Sequence, residues 1–222
     1  MGTLTQSAPR KTREVLEKAV IRFCGDSGDG MQVTGSQFTV ETALAGNDLS
    51  TFPDLPAEIR APAGTTFGVS AFQIHFGSRE VLTPGDDVDV LVAMNPAALK
   101  VNVKDLRAGG LIVLDTSAFG ERNLLKAGYE KNPLDDGSLA PYTVLKLDIT
   151  KQTLEAVKPH GLGQKDGLRS RNMWALGLML WMYGRDKQAT VDGLARKFAK
   201  RPEIAAANIA ALNAGHAFGE TA

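Results

Sequence analysis

The hydrophobic positions of this chain gather in short unbroken runs, each followed by a polar or glycine-rich stretch and then by a segment of helical period. AVIRFC (19–24), DVLVAM (89–94), GGLIVLD (109–115) and YTVLKLD (142–148) are such runs. Apolar runs of this length, rich in Val, Ile and Leu, mark strands buried on both faces. FGVSAFQIHF (67–76) differs: it alternates, with Phe72, Ile74 and Phe76 on one face and Ala71, Gln73 and His75 on the other. A period of two predicts a strand with antiparallel neighbours. DLSTF (48–52) is a further short strand candidate.

Between these runs the period becomes helical. From Gly30 onward Met31, Val33, Phe38 and Leu44 are the core candidates, and Gly46 is the expected stop. Asn95 and Pro96 have the N-cap and first-turn chemistry of a helix that runs to about Arg107. Further helices are expected over about 151–157, 171–183, 190–200 and 203–218. PDLPAEIRAPAGTT (53–66) carries three prolines and is expected to be a loop, long for a compact domain. Apolar strands separated by helices imply an α/β/α arrangement around a mostly parallel sheet. Residues 1–14 are read as a flexible N-terminus and 15–222 as a single α/β domain. In such sheets ligands bind beyond the carboxyl ends of the strands, so the loops after residues 24, 94 and 115 are the places to look.

Composition narrows the classes. Among 222 residues, Lys+Arg and Asp+Glu each number 25, so no net charge argues for nucleic acid or an anionic membrane. Cys24 is the single cysteine. One thiol builds no disulfide framework, zinc site or iron–sulfur cluster, and points to a reducing, cytoplasmic setting. The apolar run from Met173 to Tyr183 is far short of membrane-spanning length. His75, His160 and His216 show no metal-ligand spacing, and no metal site is expected.

The loop Gly25-Asp26-Ser27-Gly28-Asp29-Gly30 after the first strand invites four readings. As a dinucleotide fingerprint it lacks the third glycine, because position 33 is Val. As a triphosphatase loop it lacks the closing Lys-Ser or Lys-Thr. As a magnesium-binding Gly-Asp-Gly of thiamine-diphosphate enzymes it lacks the Asn expected further on, where DLPAEI stands. The fourth reading is a tight strand-to-helix turn that lets another backbone approach. Asp26 and Asp29 sit near the positive end of a helix dipole and offset the field that would attract a phosphate. The loop by itself is therefore a poor anion site, and a docking surface for another domain is at least as good a use for it.

Four ordered segments, IRFCGDSGDGMQVTGSQF, FPDLPAEIRAPAGTTFGVSAFQIHF, DVLVAMNPAALKVN and NMWALGLMLWMYG, together resemble the gamma domain of 2-oxoacid:ferredoxin oxidoreductases. The acidic loop is similar to that of the 2-oxoglutarate branch, in which this domain forms the N-terminal part of the alpha subunit. The resemblance runs from about residue 18 to the C-terminus. It implies a three-layer α/β/α, Rossmann-like domain with a mixed, mostly parallel sheet. It also implies a reaction: a 2-oxoacid is oxidatively decarboxylated to an acyl-CoA while ferredoxin is reduced. Coenzyme A enters as co-substrate. Thiamine diphosphate, magnesium and iron–sulfur cluster belong to other domains or subunits, so the isolated chain is not expected to be catalytic. The implied partners are the remaining alpha-subunit domains, the beta subunit and ferredoxin, with no nucleic acid and no membrane.

The resemblance places the domain beside the coenzyme A path and in subunit packing. The phosphates of coenzyme A need cationic or amide donors, and the loop carboxylates supply none. Candidates are Arg60 in the proline loop, Asn95, and Lys165, Arg169, Arg171 and Asn172 in the basic, glycine-rich stretch ahead of a helix start. Lys100 and Lys104 are four apart on one helix face and are more simply solvated. Residues 25–30 are assigned to partner contact. Simpler readings stand beside these: Glu58 and Arg60 as a surface pair, Asn95 as a cap, the helix of Met173 and Trp174 as buried, and Cys24 as an inert core thiol. A stand-alone dinucleotide-binding oxidoreductase and a purely structural interaction domain are the alternatives.

Overall fold

The structure, a computed structural model, describes residues 13–56, 58 and 61–221. Six strands form one sheet in the order β2-β3-β1-β4-β5-β6. They are β1 (Lys18–Asp26), β2 (Asp48–Asp54), β3 (Val69–Gly77), β4 (Val88–Ala93), β5 (Leu106–Asp115) and β6 (Thr143–Leu147). β3 runs antiparallel to both β1 and β2, while β1–β4, β4–β5 and β5–β6 are parallel. The alternating segment is thus the one reversed strand, and the continuous apolar runs are the parallel ones. The mixed, mostly parallel α/β/α fold expected from the residues is the fold observed.

Alternation along β1 and β3 divides the core into two layers. Ile21, Phe23, Phe72, Ile74 and Phe76 face one layer, and Val20, Cys24, Val69 and Ala71 face the other. The first layer is closed by α1 (Met31–Leu44), α4 (Ile149–Val157), α6 (Arg171–Met182), α7 (Gln188–Lys197) and α8 (Pro202–Thr221). The second is closed by α2 (Pro96–Asn102) and α3 (Glu121–Lys126); a short α5 (Gln164–Gly167) precedes α6. Helix α6 is buried from Asn172 through Leu180, which explains why its apolar residues surround it. It crosses α8 so closely that a Cβ added at Gly215 would lie 1.9 Å from the Trp174 carbonyl oxygen. Glycine permits that backbone approach.

Two expectations are corrected. Val33 and Leu44 are exposed, whereas Met31 and Phe38 are buried; Thr34, Gly35, Glu41 and Thr42 complete the inward face of α1 instead. The helix from Asn95 stops at Asn102 rather than near Arg107, and a short 3-10 turn (Val103–Asp105) leads into β5. Arg22 Nη1 reaches from β1 to Asn102 Oδ1 (3.2 Å) and Asp105 Oδ2 (2.5 Å), tying the chain down where the helix would have continued. Asn95 caps α2 as its sequence position requires, its Oδ1 accepting the Ala98 amide at 2.8 Å.

Candidate functional site

The carboxyl ends of β1, β4 and β5 deliver Asp26, Asn95 and Asp115 to one end of the sheet. The turn after β1 is held by backbone bonds: the Ser27 amide donates to Gly68 O at 3.0 Å and the Asp29 amide to Asp26 O at 2.8 Å. Gly30 adopts φ +77°, and a Cβ there would lie 2.6 Å from Asn172 Nδ2. Only glycine meets both the dihedral and the contact without strain. The turn is therefore shaped by the first residues of α6, which lie far away in sequence.

The two loop carboxylates find their partners within the chain. Asp26 Oδ2 accepts the Gly64 amide at 2.9 Å, which pins the proline-rich loop to the glycine turn. Asp29 Oδ2 accepts the Asp26 amide at 3.0 Å, and Asp29 Oδ1 accepts Arg171 Nη2 at 3.0 Å. Arg171 turns its other terminal nitrogen toward Thr150 Oγ1 (3.4 Å) and Asp115 Oδ2 (3.7 Å). Asp115 is fully buried and accepts the Thr150 hydroxyl (2.6 Å), the Thr150 amide (3.2 Å) and the Ser117 amide (3.3 Å). A continuous polar chain thus runs from the proline loop through Asp26, Asp29 and Arg171 to the start of α4.

Burial dominates the acidity of two carboxylates here. Burial pushes the Asp26 carboxyl above its ordinary value and the neighbouring Asp29 charge pushes it the same way; the Gly64 amide, the Asn95 side chain and Arg171 oppose the shift. Burial likewise raises Asp115, against its Thr150 bonds and the Arg171 charge. Asp26 Oδ1 is buried and makes no hydrogen bond of good geometry, and Asn172 Oδ1 is in the same position. Burial also raises the Cys24 thiol strongly, so it offers no thiolate at neutral pH.

A cleft of about 100 Å³ opens beside this network, lined by Gly28, Asp29, Met94, Leu168, Arg169 and Arg171. The basic stretch before α6 divides around it. Arg169 lies on the cleft wall, its side chain 73% exposed and paired with Asp166 at 3.3 Å. Lys165 is exposed on α5, and Arg171 is turned inward onto carboxylates. Asn172 packs on Gly30, with Nδ2 donating to Gly30 O at 3.4 Å. Arg60 lies outside the described residues. Among the described residues no group of three or more His, Cys, Asp and Glu side chains is placed to hold a metal ion.

Sequence reasoning missed two participants. Asp115 is signalled only by its place as the last residue of LIVLD, at a strand's carboxyl end. Arg22 is signalled by an arginine inside an otherwise apolar strand. Its side chain is 13% exposed and lies on the floor of a second cleft of about 350 Å³, with Phe52, Gln73, Asp86 and Asp105 among the lining residues.

Fold and site together define an α/β/α module with a carboxylate-bearing glycine turn at the carboxyl end of its parallel strands. The chain matches the pyruvate ferredoxin/flavodoxin oxidoreductase family over residues 20–218 and belongs to it. It is 56% identical over 209 residues to the 2-oxoglutarate oxidoreductase subunit KorA of Mycobacterium tuberculosis (strain ATCC 25618 / H37Rv), covering 94% of this chain and 32% of that one. It is 27% identical to the ketoisovalerate oxidoreductase subunit VorA of Methanothermobacter marburgensis, covering 88% of this chain and 35% of that subunit. The chain spans about a third of the length of these curated relatives. Among solved structures it resembles a 2-oxoglutarate:ferredoxin oxidoreductase from Magnetococcus marinus with 2-oxoglutarate, coenzyme A and succinyl-CoA bound. That likeness has a TM-score of 0.70 at 23% identity, over 94% of this chain and 32% of that one. It also resembles the pyruvate oxidoreductase subunit PORC of Thermotoga maritima (TM-score 0.59, 20% identity), over 91% of this chain and 97% of that one. At these identities the structural likeness establishes the fold. No helix among the described residues is long and apolar enough to cross a membrane.

Proposed function

We propose that residues 15–222 act as the gamma-type domain of a 2-oxoglutarate:ferredoxin oxidoreductase, which converts a 2-oxoacid to its acyl-CoA and reduces ferredoxin. The observation that carries this reading is the 56% identity to a 2-oxoglutarate oxidoreductase subunit across 94% of the chain. The domain's part is positional. Its cleft borders the coenzyme A path, with exposed Lys165 and Arg169, the latter in an exposed pair with Asp166, as the cations that meet phosphate. Arg171 lines the cleft, Asn172 packs on the glycine turn and Asn95 stands at the carboxyl end of β4; Arg60, which lies outside the described residues, is a further cationic candidate by its sequence. The glycine turn, residues 25–30, faces the neighbouring domain of the enzyme. Thiamine diphosphate, magnesium and iron–sulfur chemistry reside on the other domains and the beta subunit.

The test is steady-state titration of coenzyme A in the complete oxidoreductase carrying Lys165→Ala and Arg169→Ala. KM for coenzyme A is expected to rise about tenfold with kcat unchanged, the signature of lost ground-state contacts. An unchanged KM overturns the coenzyme A assignment. Reduction of ferredoxin with pyruvate but not with 2-oxoglutarate overturns the substrate branch.

A further inference from the structure

Helix α1 presents an outward face unlike that of its neighbour. Across Met31–Leu44 the one charged side chain is Glu41, and it is turned inward, 2% exposed, accepting the Thr190 amide and hydroxyl at 2.6 and 2.7 Å. The outer surface of the helix therefore carries no charge. On α7, packed beside it, Asp192, Arg196 and Lys197 are all exposed. Charged side chains are the usual covering of a solvated helix, and their depletion marks the centre of an interface.

The apolar residues on that face are ordered. Val33, Val40 and Leu44 are 37%, 43% and 70% exposed, and half-buried Gln37 lies between them. The spacing 33-37-40-44 is four, three, four, the interval of a helix-pairing seam, and it keeps all four residues within roughly 60° of helix circumference. A single polar residue in such a seam fixes register. The core of the domain does not use this stripe: Met31, Thr34, Gly35, Phe38, Glu41 and Thr42 form the buried side of α1.

We infer that the Val33–Gln37–Val40–Leu44 seam docks an uncharged, apolar helix of another domain or subunit of the complete oxidoreductase. Three observations select that occupant. The seam interval fits a helix. The absence of charge fits a partner surface without charge, since a charged one would lose its hydration there without compensation. The chain corresponds to about a third of its curated relatives, so the assembly has further domains to supply the helix. The inference rests on the reading that this chain works inside a larger enzyme.

Thiol labelling tests it. Cys24 is buried and its thiol is held protonated, so Val40→Cys gives the chain one reactive site. Labelling at position 40, followed by mass spectrometry of its peptide, is compared between the isolated chain and the complete oxidoreductase. We expect labelling to slow at least tenfold in the complete enzyme, and to be independent of concentration in the isolated chain. Equal rates in the two overturn the inference. Slowing in the isolated chain as its concentration rises also overturns it, because the occupant is then a second copy. As a second measure, Val40→Lys is expected to leave the melting temperature of the isolated chain unchanged and to reduce recovery of the assembled enzyme; unaltered recovery counts against the seam. Labelling needs no turnover, so missing 2-oxoacid activity defeats the functional reading while protection at position 40 remains measurable.

Discussion

Two arginines each centre a polar network among the described residues, and they are satisfied in opposite ways. Arg22, in the middle of the sheet, meets Gln73 Oε1 (2.8 Å), Asn102 Oδ1 (3.2 Å) and Asp105 Oδ2 (2.5 Å). One cation faces one carboxylate there, and the neighbouring amide is fixed in turn, with Gln73 Nε2 donating to Pro84 O and Gly85 O, both at 2.7 Å. Arg171, at the carboxyl end of the sheet, faces Asp29 and Asp115, with Asp26 beside them. Carboxylates outnumber the guanidinium, and Asp26 Oδ1 makes no hydrogen bond of good geometry. A charge-balanced network of that kind holds strands and turns in register. An unbalanced one leaves buried acceptor capacity unused, and local rules are broken most often at functional sites.

That contrast is open to attack by mutation, starting with its most costly element. Arg22→Ala should destabilise the domain by about 3 kcal/mol in denaturant unfolding, because three acceptors lose their donor beneath the sheet surface. A loss close to zero would mean that the mid-sheet network is not structural. Arg171→Ala should cost about 2 kcal/mol at pH 7. Its deficit should shrink as pH falls, because Asp115 and Asp26, already raised by burial, take up protons before ordinary carboxylates do and then no longer need the cation. A deficit independent of pH would show that Arg171 acts through packing alone.

Asp26→Asn should have the smallest effect, with the opposite sign. A carboxyl whose folded value lies above its ordinary 3.8 binds protons more tightly in the folded state. Its contribution is fully present below that ordinary value and is lost as pH rises through the raised one. Asn removes the charge while keeping an acceptor for the Gly64 amide. The variant should therefore melt at or above the wild-type temperature at pH 7 and show a flatter pH dependence above the ordinary carboxylate value. A drop in melting temperature would show that the Arg171 charge and the hydrogen bonds to Asp26 outweigh the cost of burying its charge.

Much of the fold was legible in advance. Continuous apolar runs gave the parallel strands, and the alternation of Phe72, Ile74 and Phe76 with Ala71, Gln73 and His75 gave the reversed one, although β3 is buried on both faces and only its second face carries smaller or polar side chains. Asn95 and Pro96 gave the start of α2. The outward placement of Val33 and Leu44 was not legible, because a seam held for another helix has the same period as a core-facing stripe. Among the site residues, sequence grouped Lys165, Arg169, Arg171 and Asn172 by proximity along the chain. The three-dimensional arrangement separates them, sending Arg171 inward to Asp29 across 142 residues and leaving Arg169 on the cleft wall.

The order of apolar and polar residues by itself determined the layers, the strand types, the α2 cap and the tight glycine turn, because each follows from a local period or a local dihedral. Tertiary structure alone decided which carboxylate meets which cation, which glycine faces Asn172, and which apolar stripe stays uncovered. Those outcomes depend on contacts between segments far apart in the chain, and charge and burial combine there only after the sheet has brought β1, β5 and α6 to one edge.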